Sequence, residues 1–166
     1  FTTTTAIIGF GFAFLLLKST EIVNENKFGF IHLFDFPIVF QVIISLLILD
    51  LIGAYLVHLI EHKVPWMWKF HVVHHSDKNV DVTTGLRHHP GETVFRILFT
   101  ILGVYVSGAS IGMVMLYQSI SVLFAHITHA NISLPKNLDR IISYILVTPN
   151  MHKVHHHFKL PLTDTN

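Results

Sequence analysis

The chain lacks cysteine entirely, which excludes disulfide frameworks, thiol nucleophiles, iron–sulfur clusters and cysteine-ligated zinc. Charge is scarce as well. Only 13% of the 166 residues are Asp, Glu, Lys or Arg, about half the roughly 25% of soluble domains. A net charge of +1 with neutral histidines gives no reason to expect nucleic acid as a partner. Internal repeats, low-complexity tracts, a glycine-rich phosphate loop and a dinucleotide-binding fingerprint are all missing. What the chain does have is apolar surface: 51% of residues are hydrophobic and mean hydropathy is +0.57, which excludes disorder. The length fits one domain. It also has 14 histidines, more than its 11 Lys and Arg together.

The apolar residues fall into long runs. A membrane-spanning helix needs about 20 of them, and Phe36–Ile60 supplies this with one acid, Asp50, inside it. Thr93–Ile127 is too long for one span, and Ser107-Gly108-Ala109-Ser110 near its middle predicts a hairpin of two helices, each short for a full crossing. Gly103, Gly108 and Gly112 in this block can either leave a groove for a lipid entering sideways or let helices pack closely. A shorter run, Thr5–Leu17, precedes a polar connector at Lys18–Asp35; because the chain starts at Phe1, it is expected to begin inside a longer protein. If Phe36–Ile60 crosses once, Lys63, Lys69, Lys78, Arg87, Lys136, Arg140, Lys153 and Lys159 share one side, leaving Lys18 and Lys27 on the other. The positive-inside rule then makes the basic side cytoplasmic. Trp66 and Trp68, just after the span, read as interfacial anchors.

The histidine groups fall on that basic side. His58 and His62 stand at i and i+4, on one helix face. His71, His74 and His75 occupy i, i+3 and i+4, and His152, His155 and His156 repeat that spacing. His129 follows the apolar hairpin. Imidazole nitrogens suit iron, zinc, copper or nickel. Nine exceed the needs of one four-coordinate zinc, so two metals in an all-histidine cage fit the count.

Three other readings compete. A pH-responsive membrane module needs no repeated ligand spacing. A histidine-rich metal transporter or metal-binding membrane protein would usually place its site near the bilayer midplane, whereas these groups begin where the long span ends. His58, Glu61 and His62 match the H-x-x-E-H pattern of inverted zinc peptidases, but that motif leaves the other groups unexplained. His126 can face the same cavity as His129, with packing the favoured role. His88 and His157 are expected to be solvated, and His32 to lie apart. Asp50, about two turns before His58, is expected to orient a ligand histidine, since acids inside a span are costly and partnered. Asn131, Arg87 and Glu92 are further candidates for such support.

The order of these groups around a hairpin resembles the fatty acid hydroxylase/sterol desaturase superfamily, and its bacterial sterol desaturase-like branch in particular. The resemblance also rests on Asp50 and Tyr55, on His74-His75-Ser76-Asp77 leading to Asp81-Val82-Thr83-Thr84-Gly85-Leu86-Arg87, and on His89-Pro90 with Glu92. His129-Ala130-Asn131 with Leu134-Pro135, and Thr148-Pro149-Asn150-Met151-His152, complete it over about Leu49 to Asn166. Leu59 departs from the Arg found there in many members.

The resemblance implies an all-α integral membrane helical domain with a histidine-rich cytosolic cap. Residues 1–35 would form an N-terminal membrane helix and connector, and 36–166 the catalytic domain. Its C-terminus is expected to be truncated, since relatives continue further. Two iron ions would be held by His58, His62, His71, His74, His75, His129, His152, His155 and His156, with His89 and His126 as possible additions and Asp50 and Asn131 supporting. Zinc can occupy such a site in purified material. The implied reaction is O2-dependent hydroxylation or desaturation of a lipid. Electrons would come from an external cytochrome, ferredoxin or flavin reductase.

Overall fold

The computed structural model describes residues 2–159 and 161–164, and every regular element in them is helical. Helix α1 covers Thr2–Glu25. Helix α2 (Ile38–Asp50) continues unbroken through a π-helical segment, Leu51–Leu56, into α3 (Val57–Lys63). A short α4 (Pro65–His71) leads into a loop, and the hairpin follows as α5 (Pro90–Ser107) and α6 (Ile111–His129). Two more short helices, α7 (Lys136–Ile142) and α8 (Pro149–His155), lead towards the end of the chain.

Three stretches are long and apolar enough to cross a membrane: Ile7–His32, Ile38–Lys63 and Ile111–His129. Their outer faces are apolar, with Phe10, Leu47 and Met115 well exposed, the surface that lipid accommodates. The fold is therefore all-α and membrane-associated. Two sequence expectations change. Helix α6, at 19 residues, reaches spanning length instead of stopping short. Helix α1 runs on through the expected connector to Glu25, because the Ser19 and Thr20 hydroxyls bond to the Leu15 and Leu17 carbonyls within the helix and face the bundle.

A buried apolar cluster that includes Val23, Leu49, Val104 and Val114 joins α1, α2, α5 and α6. Beside it the α1–α2 connector packs directly on the hairpin turn. A Cβ on Gly29 would sit 2.2 Å from the Gly108 backbone nitrogen, and both glycines have positive φ, +97° and +87°. Only residues without a Cβ fit there. Gly103 packs against Leu49 and Ile52. Neither Gly103 nor Gly108 opens a groove. The turn anchors one end of the bundle, and the histidines gather at the other.

Candidate metal centre

Short helices with firm start signals carry the histidines. His58 and His62 lie on α3, at the end of the long α2–α3 rod. Pro65 at the first turn starts α4, which ends on His71. Thr148 caps α8 by accepting from the Met151 amide at 3.2 Å, with Pro149 next, so His152 and His155 sit on a helix of fixed direction. His129 closes α6.

These elements bring nine imidazoles into two groups, within each of which the nearest ring nitrogens all lie within 4.8 Å of one another. One group holds His58, His62, His71, His75 and His155; the other holds His74, His129, His152 and His156. The helical period explains the partition. Residues four apart share a helix face, so His58 with His62, His71 with His75, and His152 with His156 each enter one group as a pair. The third histidine of each triplet, His74 or His155, adjoins one member of its pair and faces elsewhere by about 100°. It crosses into the opposite group. The two triplets thus exchange one histidine each and tie the groups together; the His75 and His156 rings lie 4.4 Å apart between centroids.

Hydrogen bonds on the outer side of the rings aim them inward. His129 Nδ1–H donates to the Ala125 carbonyl at 2.7 Å, His74 Nδ1–H to the Thr84 carbonyl at 3.2 Å, and His71 Nδ1–H to Glu92 Oε1 at 3.0 Å. A neutral imidazole has one N–H, so the Nε2 atoms of these three rings carry lone pairs. Yet His129 Nε2 lies 3.2 Å from His74 Nε2. Facing lone pairs repel, and a cation between them removes the repulsion. Nitrogens bound at about 2.0–2.1 Å to one ion would stand roughly 3.0–3.4 Å apart. Each group is therefore capable of coordinating a metal ion.

Electrostatics favour the ligating form of the rings. Burial, followed by the proximity of neighbouring imidazoles, holds His74 and His75 well below the ordinary histidine range, and His156 down to about 3. Burial also lowers His71, against the raising pull of Glu92.

The carboxylates that support the site are Glu61 and Glu92, both with fully buried side chains. Glu92 Oε1 accepts from His71, from His88 at 2.7 Å and from Arg96 Nε at 3.0 Å, while Arg96 also donates to Glu61 Oε2 at 3.1 Å. Glu61 thus serves a buried ion-pair network rather than standing as a peptidase base. Arg96 was not singled out in the sequence; a cation within an apolar block was its only signal. The loop that carries Asp81 to Arg87 is bound to Asp77 through Thr84 and Arg87. It presents the Thr84 carbonyl to His74, and a Cβ on Gly85 would come within 3.3 Å of His129 Nδ1.

Several expectations shift. The structure leaves His89 and His126 outside both groups. His89 caps α5 by accepting from the Gly91 amide and stacks near Phe70, while His126 turns back onto the Val122 carbonyl. Asp50 stands outside both groups, on a cavity wall that it shares with Tyr117, and Asn131 is exposed after α6. His88, expected in solvent, stacks on His74 at 4.7 Å and bonds Glu92 and the Gly85 carbonyl.

Two adjoining cavities reach the cluster. The inner one, about 290 Å³, touches His58, His74, His129 and His152. The outer one, about 530 Å³, is bounded by apolar side chains such as Leu46, Phe124 and Ile145. Asp50, Arg96 and Thr128 border both.

All-helical architecture, helices long and apolar enough to cross a membrane and this histidine arrangement define a membrane-associated protein with a cluster capable of binding metal. The chain belongs to the fatty acid hydroxylase family, whose model matches residues 42–162. The ornithine lipid hydroxylase OlsE of Rhizobium tropici is 30% identical over 133 residues, covering 80% of this chain and 39% of that protein. The chain thus spans about two-fifths of the length of this curated relative. No solved structure matches it.

Proposed function

We propose that the protein is a membrane-bound oxidase that uses two iron ions, O2 and external electrons to hydroxylate or desaturate a lipid. The observation that carries this reading is the exchange of His74 and His155 between two imidazole groups, which suits two adjacent ions better than one. His58, His62, His71, His75 and His155 would hold one ion, and His74, His129, His152 and His156 the other. Bound iron would supply O2 activation for attack on an unactivated C–H bond. The chain's own residues do the rest: Glu92, Thr84 and Ala125 orient the His71, His74 and His129 rings by accepting from their Nδ1–H groups, and the outer cavity, with Leu46, Phe124 and Ile145 on its wall, would admit an acyl or ring carbon. Lys63, Lys69, Arg87 and Lys153 stand on the same elements as the histidines or next to them, which supports a cytoplasmic site by the positive-inside rule. An electron-donor protein would approach that side. Membership of the family and the name of the Rhizobium relative support a lipid substrate.

The test is lipid analysis of cells with and without the protein, grown under isotopically labelled O2. Labelled alcohol in a membrane lipid, or a new alkene, dependent on the protein and abolished in His74→Ala, is expected. A lipid profile unaffected by the protein, with metal bound, would overturn the reading.

A further inference from the structure

Asp50 is the one acid within the Phe36–Ile60 run, and its location follows from the π-helical segment. In an α-helix, residues eight apart lie about 80° out of phase. A π segment winds more slowly, and the six residues Leu51–Leu56 together remove roughly one residue's rotation, about 100°. Asp50 is thereby returned close to the His58 face, and both border the inner cavity.

Its carboxylate belongs to a polar patch on the cavity walls. Tyr117, Ser121, Arg96 and Thr128 line the outer cavity with it. Asp50 is exposed and borders both cavities, so its carboxylate oxygens have accepting capacity to offer. An acid inside a span is costly unless partnered, and usually faces an internal cavity. A helix-packing contact would bury it; this one opens at the junction of the inner and outer cavities.

We infer that Asp50, at the junction of the two cavities, binds a hydrogen-bond-donating polar group of the lipid substrate, an ammonium or a hydroxyl. The oxidised carbon then lies near that group, within the span of the inner cavity, and not far along a hydrocarbon tail. This rests on the lipid-oxidase reading of the histidine cluster. The apolar side chains of the outer cavity take the hydrocarbon, and Asp50 sets how deep it enters.

The test uses the protein purified in detergent with metal bound, probed by thermal melting with hexadecylamine, hexadecanol and hexadecane. The amine, the alcohol or both should stabilise the protein, and hexadecane much less. Asp50→Leu should weaken that binding about tenfold or more with metal content unchanged. An amine effect lost in Asp50→Asn identifies an ammonium; an alcohol effect retained in Asp50→Asn identifies a hydroxyl. Equal stabilisation by all three probes, binding unaffected in Asp50→Leu, or metal lost in both variants would overturn the inference. If the probes discriminate in an Asp50-dependent way but no lipid is oxidised in cells, the oxidase reading fails and the binding site stands.

Discussion

His58 and His155 lie 97 residues apart in the chain, yet their Nε2 atoms meet at 3.2 Å. That contact joins the end of the α2–α3 rod to α8. A metal ion held by the five-histidine group would therefore tie α8 to the rod and couple its docking to metal loading.

Each group should therefore fail separately. His155→Ala removes a ligand from the five-histidine group, and His74→Ala one from the four-histidine group. Anaerobically purified protein is expected to bind two ions per chain, each variant to lose mainly one of them, and both to lose lipid oxidation. His32→Ala, at the far end of the bundle, should retain both ions. Elemental analysis checks this; a single ion in the fully loaded, folded protein would count against two sites.

Glu92 positions His71 without belonging to either group. Glu92→Ala should weaken metal affinity by about 10- to 100-fold, the usual cost of losing an outer partner of a ligand histidine. Chelator competition measures it. Glu21→Ala, on the exposed part of α1, serves as the control with affinity unchanged.

Acid should destabilise the metal-free protein. The unfolded chain protonates its histidines near pH 6.5, whereas folding holds His156 at about 3 and keeps His74 and His75 low as well. The unfolded state thus binds more protons over that window, and stability falls as pH drops from about 6.5 towards 3. Above pH 7 this contribution is fully present. Melting temperature in detergent against pH reads the slope; a curve flat from pH 7 to 4 would contradict neutral buried rings.

At the other end of the bundle, Gly29→Ala should prevent correct packing, because its Cβ would overlap the Gly108 backbone, which no side chain movement can relieve. Loss of folded protein in detergent is the expected readout. Gly112→Ala, with nothing closer than the Ser110 hydroxyl at 3.9 Å, should fold normally.

Much of the centre was legible along the chain because its information is local. Helical period alone pairs residues at i and i+4, so the histidine pairs and the hairpin turn at Gly108 follow from spacing and turn chemistry. The inward aim of His74 and His129 could not be read that way, because it depends on carbonyls of Thr84 and Ala125 whose directions are backbone geometry. The burial of His88 is not legible for a related reason: its stacking partner His74 lies on the far side of the intervening loop, although Glu92 is a local i+4 contact.

The residue types, their helical spacing and the long apolar runs by themselves determined a membrane-associated helical protein with a histidine-rich end suited to metal. Tertiary structure alone decided that His74 and His155 change groups, that Glu61, Glu92 and Arg96 form one network, and that a π segment turns Asp50 towards His58. The physical reason is range. Local spacing sets which side chains share a face, but the meeting of faces from distant helices is set by packing against the bundle's own core, and no pattern in one helix encodes its partner's phase.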